Sequence, residues 1–327
     1  MRLETVSVFG GGSWGTALAQ AAAMAGRQVE LVLRDPAEAE AMNAARMNAR
    51  YLPGVILHEA VRPTATSQAA DFVILAVPAQ ATRTLLTALP PDLFAGKPVV
   101  LSAKGLETGT LLRQSEILRD MAPEAIPFVL SGPSFAADVA AGRPTAVTLA
   151  GDDPSDTSDL ATALAGPSFR PYAADDRIGV ELAGALKNVY ALACGAVEGA
   201  GLGASARSAL IARAFAELAR LVRTLGGSTS TLTGLAGLGD LTLSCTSAQS
   251  RNYRFGMALG AGRRPEDITA DVGLAEGMWT APVARQLARD TGVDAPLVDA
   301  VVQVLAGEAD IATVVAGLMS RPLKRED

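Results

Sequence analysis

The chain has 327 residues, 49% hydrophobic but only 4% aromatic, with a formal charge of −6. At roughly 100–200 residues per domain this length predicts two domains, with cores of Ala, Leu and Val. The acidic balance implies no basic face and argues against a general nucleic-acid binder, although a small anionic ligand needs only a local cationic cluster.

TVSVF (5–9) reads as a buried strand. Glycines follow, then an alanine-rich helix over 16–25 closed by Gly26. QVELVL is the next strand. DFVILAV, PVVLSA, PFVLSG and TAVTLAG are further short β-rich runs, with helix-like stretches such as 79–88 between them. Strand–helix alternation with continuously apolar strands predicts a parallel sheet covered on both faces. GDDPSDTSD (151–159) reads as a polar surface segment. Beyond about Asp176 the strands stop. Residues 181–197, 204–225, 251–259, 275–290 and 295–305 suit helices, with breaks at Gly226, Gly227 and 228–231. RPLKRED (321–327) reads as a charged, frayed tail.

The N-terminus runs almost directly into a strand, so no signal peptide is expected. Pro78 ends DFVILAV, and Glu181 and Lys187 interrupt the alanine-rich helix around them. None of these stretches offers the about 20 clean residues of a membrane span. Cys194 and Cys245 are the only cysteines, and neither lies in a CxxC. No disulfide framework or zinc site is expected, and a reducing compartment is the default. The expectation is a soluble, cytoplasmic protein with both thiols filling core space.

VSVFGGGSWGTALA places Gly10, Gly12 and Gly15 in a GxGxxG pattern between a strand and a helix. The first glycine allows the tight turn. The second lets a pyrophosphate approach the backbone, and the third lets helix and strand pack closely. The strand before, the helix after and a second strand ending near the expected acidic position make this a dinucleotide site rather than a bare turn. The second strand ends in VLRDP. Arg34 stands roughly where an NAD-only site places Asp or Glu, and Asp35 follows. Arg34 can take a 2′-phosphate, which points to NADPH, with NADH alongside; the plainer reading is a solvated arginine. The expected fold class is therefore α/β: an N-terminal Rossmann-like dinucleotide-binding domain (1–178) followed by an all-α C-terminal domain (179–327).

A dehydrogenase must move a proton as well as a hydride. His58 is the only histidine and lies in a connecting stretch without a motif, so it reads as a loop residue. Lys97, Lys104, Lys187 and Lys324 are the only lysines among 28 basic residues. Arginine cannot release its proton at working pH, whereas a lysine can once burial or a second cation lowers its pKa. Lys187, inside the apolar run ELAGALKNVYALACG, is either such a proton donor or a snorkelling lysine at a domain boundary. Gly184 and Ala185 are expected to leave space beside it. Lys104 lies just past the carboxyl end of a predicted strand, the edge where open α/β sheets bind ligands. Asp240 sits among glycines and apolar residues. Ser250, Arg251 and Asn252 precede a helical run, which suits either a phosphate seat or an ordinary N-cap with a surface arginine. SGPSFAAD (131–138) is a turn after a strand or a loop whose amides face a ligand.

GGGSWGTALA, SAKGLE, SGPSFAADVAAGRPTAV, GALKNVYALACG, GLGDLTLSCTSAQSRNYRFG and LAEGMWTA occur in the order found in bacterial NAD(P)-dependent sn-glycerol-3-phosphate dehydrogenases, and the chain resembles that family over nearly its whole length. The resemblance implies reversible reduction of dihydroxyacetone phosphate to sn-glycerol 3-phosphate, the starting backbone of phospholipids, with NADP(H) or NAD(H) and no metal. It implies Lys187 as the proton-transferring residue, with Lys104 and Asp240 completing the catalytic set. Lys104, Gly132, Ser134, Lys187, Asp240, Ser250, Arg251 and Asn252 then meet the substrate. Gly10, Gly12, Ser13, Trp14, Gly15, Arg34, Lys104, Ala136, Arg251, Leu274 and Glu276 meet the cofactor. The implied partner is this small molecule, with no nucleic acid and no membrane span, and a homodimer is expected by analogy. Tyr190, Tyr253 and Leu274 depart from the residues usual at their positions. Two other readings are a related two-domain β-hydroxyacid or ketopantoate-type reductase, which would prefer a carboxylate substrate, and a non-catalytic dinucleotide sensor.

Overall fold

Eight strands form one sheet in the computed structural model, which describes residues 2–68, 70–323 and 325. They are β1 (Thr5–Phe9), β2 (Gln28–Val32), β3 (Val61–Thr64), β4 (Phe72–Leu75), β5 (Pro98–Leu101), β6 (Ile126–Ser131), β7 (Thr145–Ala150) and β8 (Phe169–Ala174). Their order is β3-β2-β1-β4-β5-β6-β7-β8. The first six pair in parallel in the order of a doubly wound dinucleotide-binding sheet. Strands such as β4 and β5 are buried at every residue, because helices cover both faces. These are α1 (Ser13–Met24), α2 (Pro36–Ala45), α3 (Thr82–Ala88), α4 (Gln114–Met121), α5 (Ala136–Ala140) and α6 (Pro154–Leu164).

The sheet departs from the expected all-parallel arrangement at β7, which runs antiparallel to β6 with Leu130 opposite Leu149. β8, unanticipated in the sequence, then pairs parallel to β7. The connection between β6 and β7, residues 132–144, carries only the five-residue α5. The segment at 151–159 also differs from expectation, since α6 begins inside it. Asp153 caps that helix by accepting from the Asp156 amide, Pro154 occupies its first turn, and Leu160, Ala161 and Leu164 turn inward.

From Arg177 the described chain is helical: α7 (Arg177–Gly199), α8 (Gly203–Thr224), α9 (Asp240–Thr246), α10 (Arg251–Gly260), α11 (Pro265–Val272), α12 (Glu276–Thr291), α13 (Pro296–Leu305) and α14 (Ile311–Met319). The tail expected at 321–327 lies partly outside the described residues, which omit Lys324, Glu326 and Asp327. Asp176 starts α7 by accepting from the Gly179 amide, and its other oxygen takes the Ser228 amide at 2.9 Å and the Thr231 hydroxyl at 2.6 Å. α7 is the one described helix long and apolar enough to cross a membrane, but 89% of its apolar window is buried inside the protein. It is the axle of the helical domain, and α8, α9, α10 and α12 pack around it.

The contact between α7 and α10 is backbone against backbone. A Cβ on Gly195 or Gly199 would lie 2.0 Å from the carbonyl oxygens of Tyr253 and Met257. One on Gly256 or Gly260 would lie 2.1 Å from those of Leu192 and Ala196. Glycine every fourth residue on both helices is what admits so close an approach. Tyr190 on α7 is fully buried and donates to Glu217 Oε1 on α8 at 3.4 Å. Glu217 in turn accepts from the Leu297 and Val298 amides, each at 3.0 Å, capping the start of α13. Burial raises the Glu217 carboxyl to about 7, against the pull of those amides. Cys194 and Cys245 are free and fully buried.

Candidate active site

The glycine loop closes β1 onto α1. Gly10 has φ +115°, and a Cβ there would meet the Ala76 carbonyl oxygen at 2.7 Å. A Cβ on Gly15 would lie 1.9 Å from the Gly10 oxygen. Both are required by the chain's own packing. Gly12 differs, because a Cβ there meets nothing within 4 Å. Gly12 is also the N-cap of α1, and no side chain caps that end. Open ground in front of uncapped first-turn amides is what a pyrophosphate requires, so the loop fits a dinucleotide. Ser13 donates to the Tyr51 carbonyl at 3.0 Å, and the Trp14 indole N–H is buried without a partner among the described residues. Arg34 is exposed just beyond β2. Asp35 beside it caps α2, accepting from the Ala37 amide at 2.9 Å, which leaves the cation as the side chain presented at that edge.

The second half of the site is built on two lysines. Lys104, three residues past β5, donates to the Gly132 carbonyl at 3.0 Å and to Asp240 Oδ2 at 2.8 Å. Lys187, on α7 and 5% exposed, donates to Asp240 Oδ1 and to the Ser244 hydroxyl, the latter at 2.7 Å. Asp240 and Ser244 lie one turn apart on α9, so one helical face supplies both acceptors. Asp240 is 1% exposed, and its carboxylate bridges the two ammonium groups. Burial lowers the Lys187 pKa to about 8; Asp240 pulls it upward and Lys104 pushes it further down. Desolvation thus outweighs the adjacent carboxylate.

Gly184, one turn before Lys187, does not leave open space as expected. A Cβ there would lie 2.6 Å from Ser131 Oγ and 3.6 Å from Lys104 Cγ. The missing side chain is filled by the end of β6 and by the second lysine, which is how the sheet edge reaches α7. Asn188 completes the join. It donates to the Lys104 carbonyl at 2.8 Å and accepts from Asn252 at 2.9 Å. Asn252 Oδ1 accepts from the Gly277 amide at 2.9 Å. One hydrogen-bonded chain therefore ties β5, α7, α10 and α12 together.

Ser250 caps α10, accepting from the Tyr253 amide at 3.3 Å, and Arg251 is exposed at the first position of that helix. Ser134 donates to the Gly132 carbonyl at 3.0 Å. Glu276 accepts from the Ala79 amide at 3.3 Å, across the two domains. Burial raises the Glu276 pKa, and the Arg251 charge opposes the rise. The structure thus brings Lys104, Gly132, Ser134, Lys187, Asp240 and Asn252 into one network. Ser13, Trp14, Arg34, Ala136 at the start of α5, and Leu274, 37% exposed before α12, are not hydrogen-bonded to it. Tyr253 donates nothing to the network; its hydroxyl accepts from Arg207 at 2.9 Å.

Profiles of the NAD-dependent glycerol-3-phosphate dehydrogenase N-terminus and C-terminus match residues 5–157 and 176–316. A glycerol-3-phosphate dehydrogenase (NAD(P)+) of Methylobacterium radiotolerans is 52% identical over 333 residues, covering 100% of this chain and 99% of that one. The chain belongs to the NAD-dependent glycerol-3-phosphate dehydrogenase family. A second member, from Caulobacter vibrioides, is 49% identical over 330 residues and covers 100% of both chains. The crystal structure of the glycerol-3-phosphate dehydrogenase of Coxiella burnetii superposes with a TM-score of 0.91 at 38% identity, covering 98% of this chain and 99% of that one. As a member of this family the chain is an NAD(P)-dependent oxidoreductase with a Rossmann-like N-terminal domain and a helical C-terminal domain.

Two site residues of this family member escaped the sequence reading. Ser244 carried a usable signal, since it stands four residues after Asp240 and so shares its helical face. Asn188 offered none beyond adjacency to Lys187, because its partners lie 84 and 64 residues away in the chain.

Proposed function

We propose that the protein reduces dihydroxyacetone phosphate to sn-glycerol 3-phosphate with NADPH or NADH, reversibly, and so supplies the glycerol backbone of phospholipids. The observation that carries this reading is the buried Lys187 ammonium, held by Asp240 and Ser244 beside a second ammonium at the sheet edge. Two amines and one carboxylate leave a net positive pocket, suited to an anionic substrate whose oxygen gains negative charge.

Gly10, Gly12 and Gly15 with the start of α1 would hold the dinucleotide, aided by Ser13, Trp14, Arg34, Ala136, Leu274 and Glu276. When bound, it supplies the hydride. Lys187 Nζ holds the proton that the ketone oxygen needs. With a pKa near 8 that amine is mostly protonated at neutral pH yet able to let go, and in reverse it serves as the base. Arginine could do neither, which accounts for a lysine in a chain that otherwise prefers arginine. Lys104 stabilises the developing charge, and Asp240 holds both amines in place. The substrate phosphate rests at the start of α10, where Ser250, Arg251 and Asn252 meet the positive end of a helix. Gly132 and Ser134 form the facing wall. Residues 1–178 would bind cofactor and 179–327 substrate. We place the enzyme in the cytoplasm, where this substrate and both cofactors occur in solution, and infer a homodimer by analogy with the family.

The direct test is loss of reduced-nicotinamide absorbance on mixing protein, NADPH and dihydroxyacetone phosphate. Turnover must saturate with the phosphorylated ketone and fail with unphosphorylated dihydroxyacetone and with 2-keto acids. Turnover of a keto acid alone would instead assign the site to a hydroxyacid reductase.

A further inference from the structure

Two polar atoms at the start of α12 have no hydrogen-bond partner among the described residues although both are buried: Glu276 Oε2 and Thr280 Oγ1. They lie four residues apart on one helix, hence on the same face. Both abut Gly105, the residue after Lys104. A Cβ at Gly105 would lie 3.0 Å from Glu276 Oε2 and 3.5 Å from Thr280 Oγ1. Thr280 is fully buried, and its hydroxyl does not take the backbone carbonyl one turn earlier, the usual outlet for a helical threonine. Its proton is therefore uncommitted in a place where an idle buried hydroxyl is costly. The other carboxylate oxygen, Oε1, is already fixed by the Ala79 amide.

We infer that Thr280 is a positioning residue for the cofactor side of the site, its hydroxyl donating to Glu276 Oε2 when the dinucleotide is bound. The carboxylate would then be held from both ends, by Ala79 of the sheet domain and by Thr280 of its own helix. Gly105 is side-chain-free because any Cβ would crowd the Glu276 carboxylate and, at 2.8 Å, Ala79 Cβ. Arg251 is the charged group acting on Glu276 across this gap. The inference rests on the assignment of Glu276 to the cofactor.

The test is equilibrium NADPH binding by the full-length protein, read by nucleotide fluorescence, with KM and kcat in parallel. Thr280→Val is expected to weaken NADPH about tenfold, the cost of one missing hydrogen bond to a charged group, with kcat at saturation nearly unchanged. Thr280→Ala gives a second hydroxyl-free variant should valine crowd the site. Thr280→Ser should bind as wild type. In a Glu276→Ala background, which removes the partner altogether, the Thr280→Val loss should vanish, because the two act as one unit. A serine variant as weak as the valine one, wild-type binding by both hydroxyl-free variants, or an undiminished loss in the Glu276→Ala background would each overturn the inference. Unaltered NADPH binding by Glu276→Gln alone would instead remove Glu276 from the cofactor site and this role with it.

Discussion

Lys104 and Lys187 share a single carboxylate. They come from different domains, one from the edge of the sheet and one from the central helix, and Asp240 receives an ammonium on each oxygen. The arrangement holds two like charges together at the domain junction, and its consequences can be measured.

Keeping the charge while removing the ability to release a proton isolates the role of Lys187. Lys187→Arg is expected to lower kcat by about 10²–10⁴, the range for a lost general acid, while KM for NADPH changes little. Steady-state kinetics in both directions checks it, and near-normal turnover would exclude the amine from proton transfer.

The pH dependence has a definite sign. Reduction needs protonated Lys187 and should fall as pH rises through about 8, whereas oxidation needs the neutral amine and should rise there. Asp240 pulls that pKa up and Lys104 pushes it down. Asp240→Asn should therefore move the kcat/KM limb to lower pH, and Lys104→Met should move it to higher pH, each against a reduced rate. Limbs moving in the same direction in both variants would contradict the bridge.

The glycine loop separates packing from binding. Gly15→Ala forces a Cβ to 1.9 Å from the Gly10 oxygen and should lower Tm by several degrees. Gly12→Ala meets no protein atom within 4 Å, so its Tm should be unchanged while NADPH affinity falls at least tenfold, because the methyl occupies the ground left for phosphate. Calorimetry and a binding titration on both variants distinguish the two.

Glu217 makes stability depend on pH. Its folded pKa of about 7 lies above the ordinary carboxyl value, so the folded state binds more protons than the unfolded between these values. This contribution is fully present below about 4.5, is lost as pH rises through 7, and opposes folding beyond. Tyr190 and the start of α13 face this carboxyl, with Arg220 as its cationic neighbour. Glu217→Gln should flatten the decline, so that wild type loses several degrees of Tm relative to the variant between pH 5 and 8. Parallel Tm profiles would refute the linkage.

Six strands were legible because each was a short apolar run closed by glycine, proline or a polar residue. The GxGxxG loop was legible because its spacing states its own geometry. β3 and β8 were not, since VRPT and FRPYAA are weakly patterned and contain proline, tolerable there because the two strands form the sheet edges. The antiparallel pairing of β7 was not legible, because a short apolar run such as TAVTLAG reads the same in either direction. At the site, the unusual lysines could be noticed one by one, but their sharing of Asp240 spans 136 and 53 residues and exists only in three dimensions. The direction of the Lys187 shift likewise required burial to be known, because the two neighbouring charges oppose each other.

The glycine-to-carbonyl contact between α7 and α10 fixes the amine at Lys187 relative to the helix start at Ser250. With no side chain between the two backbones, there is nothing to compress or re-rotamer, and the pair behaves as a rigid gauge. On the substrate assignment proposed above, a variant that accepts a longer substrate must gain its room from the opposite jaw, around Gly132 and Ser134, because this one has no slack.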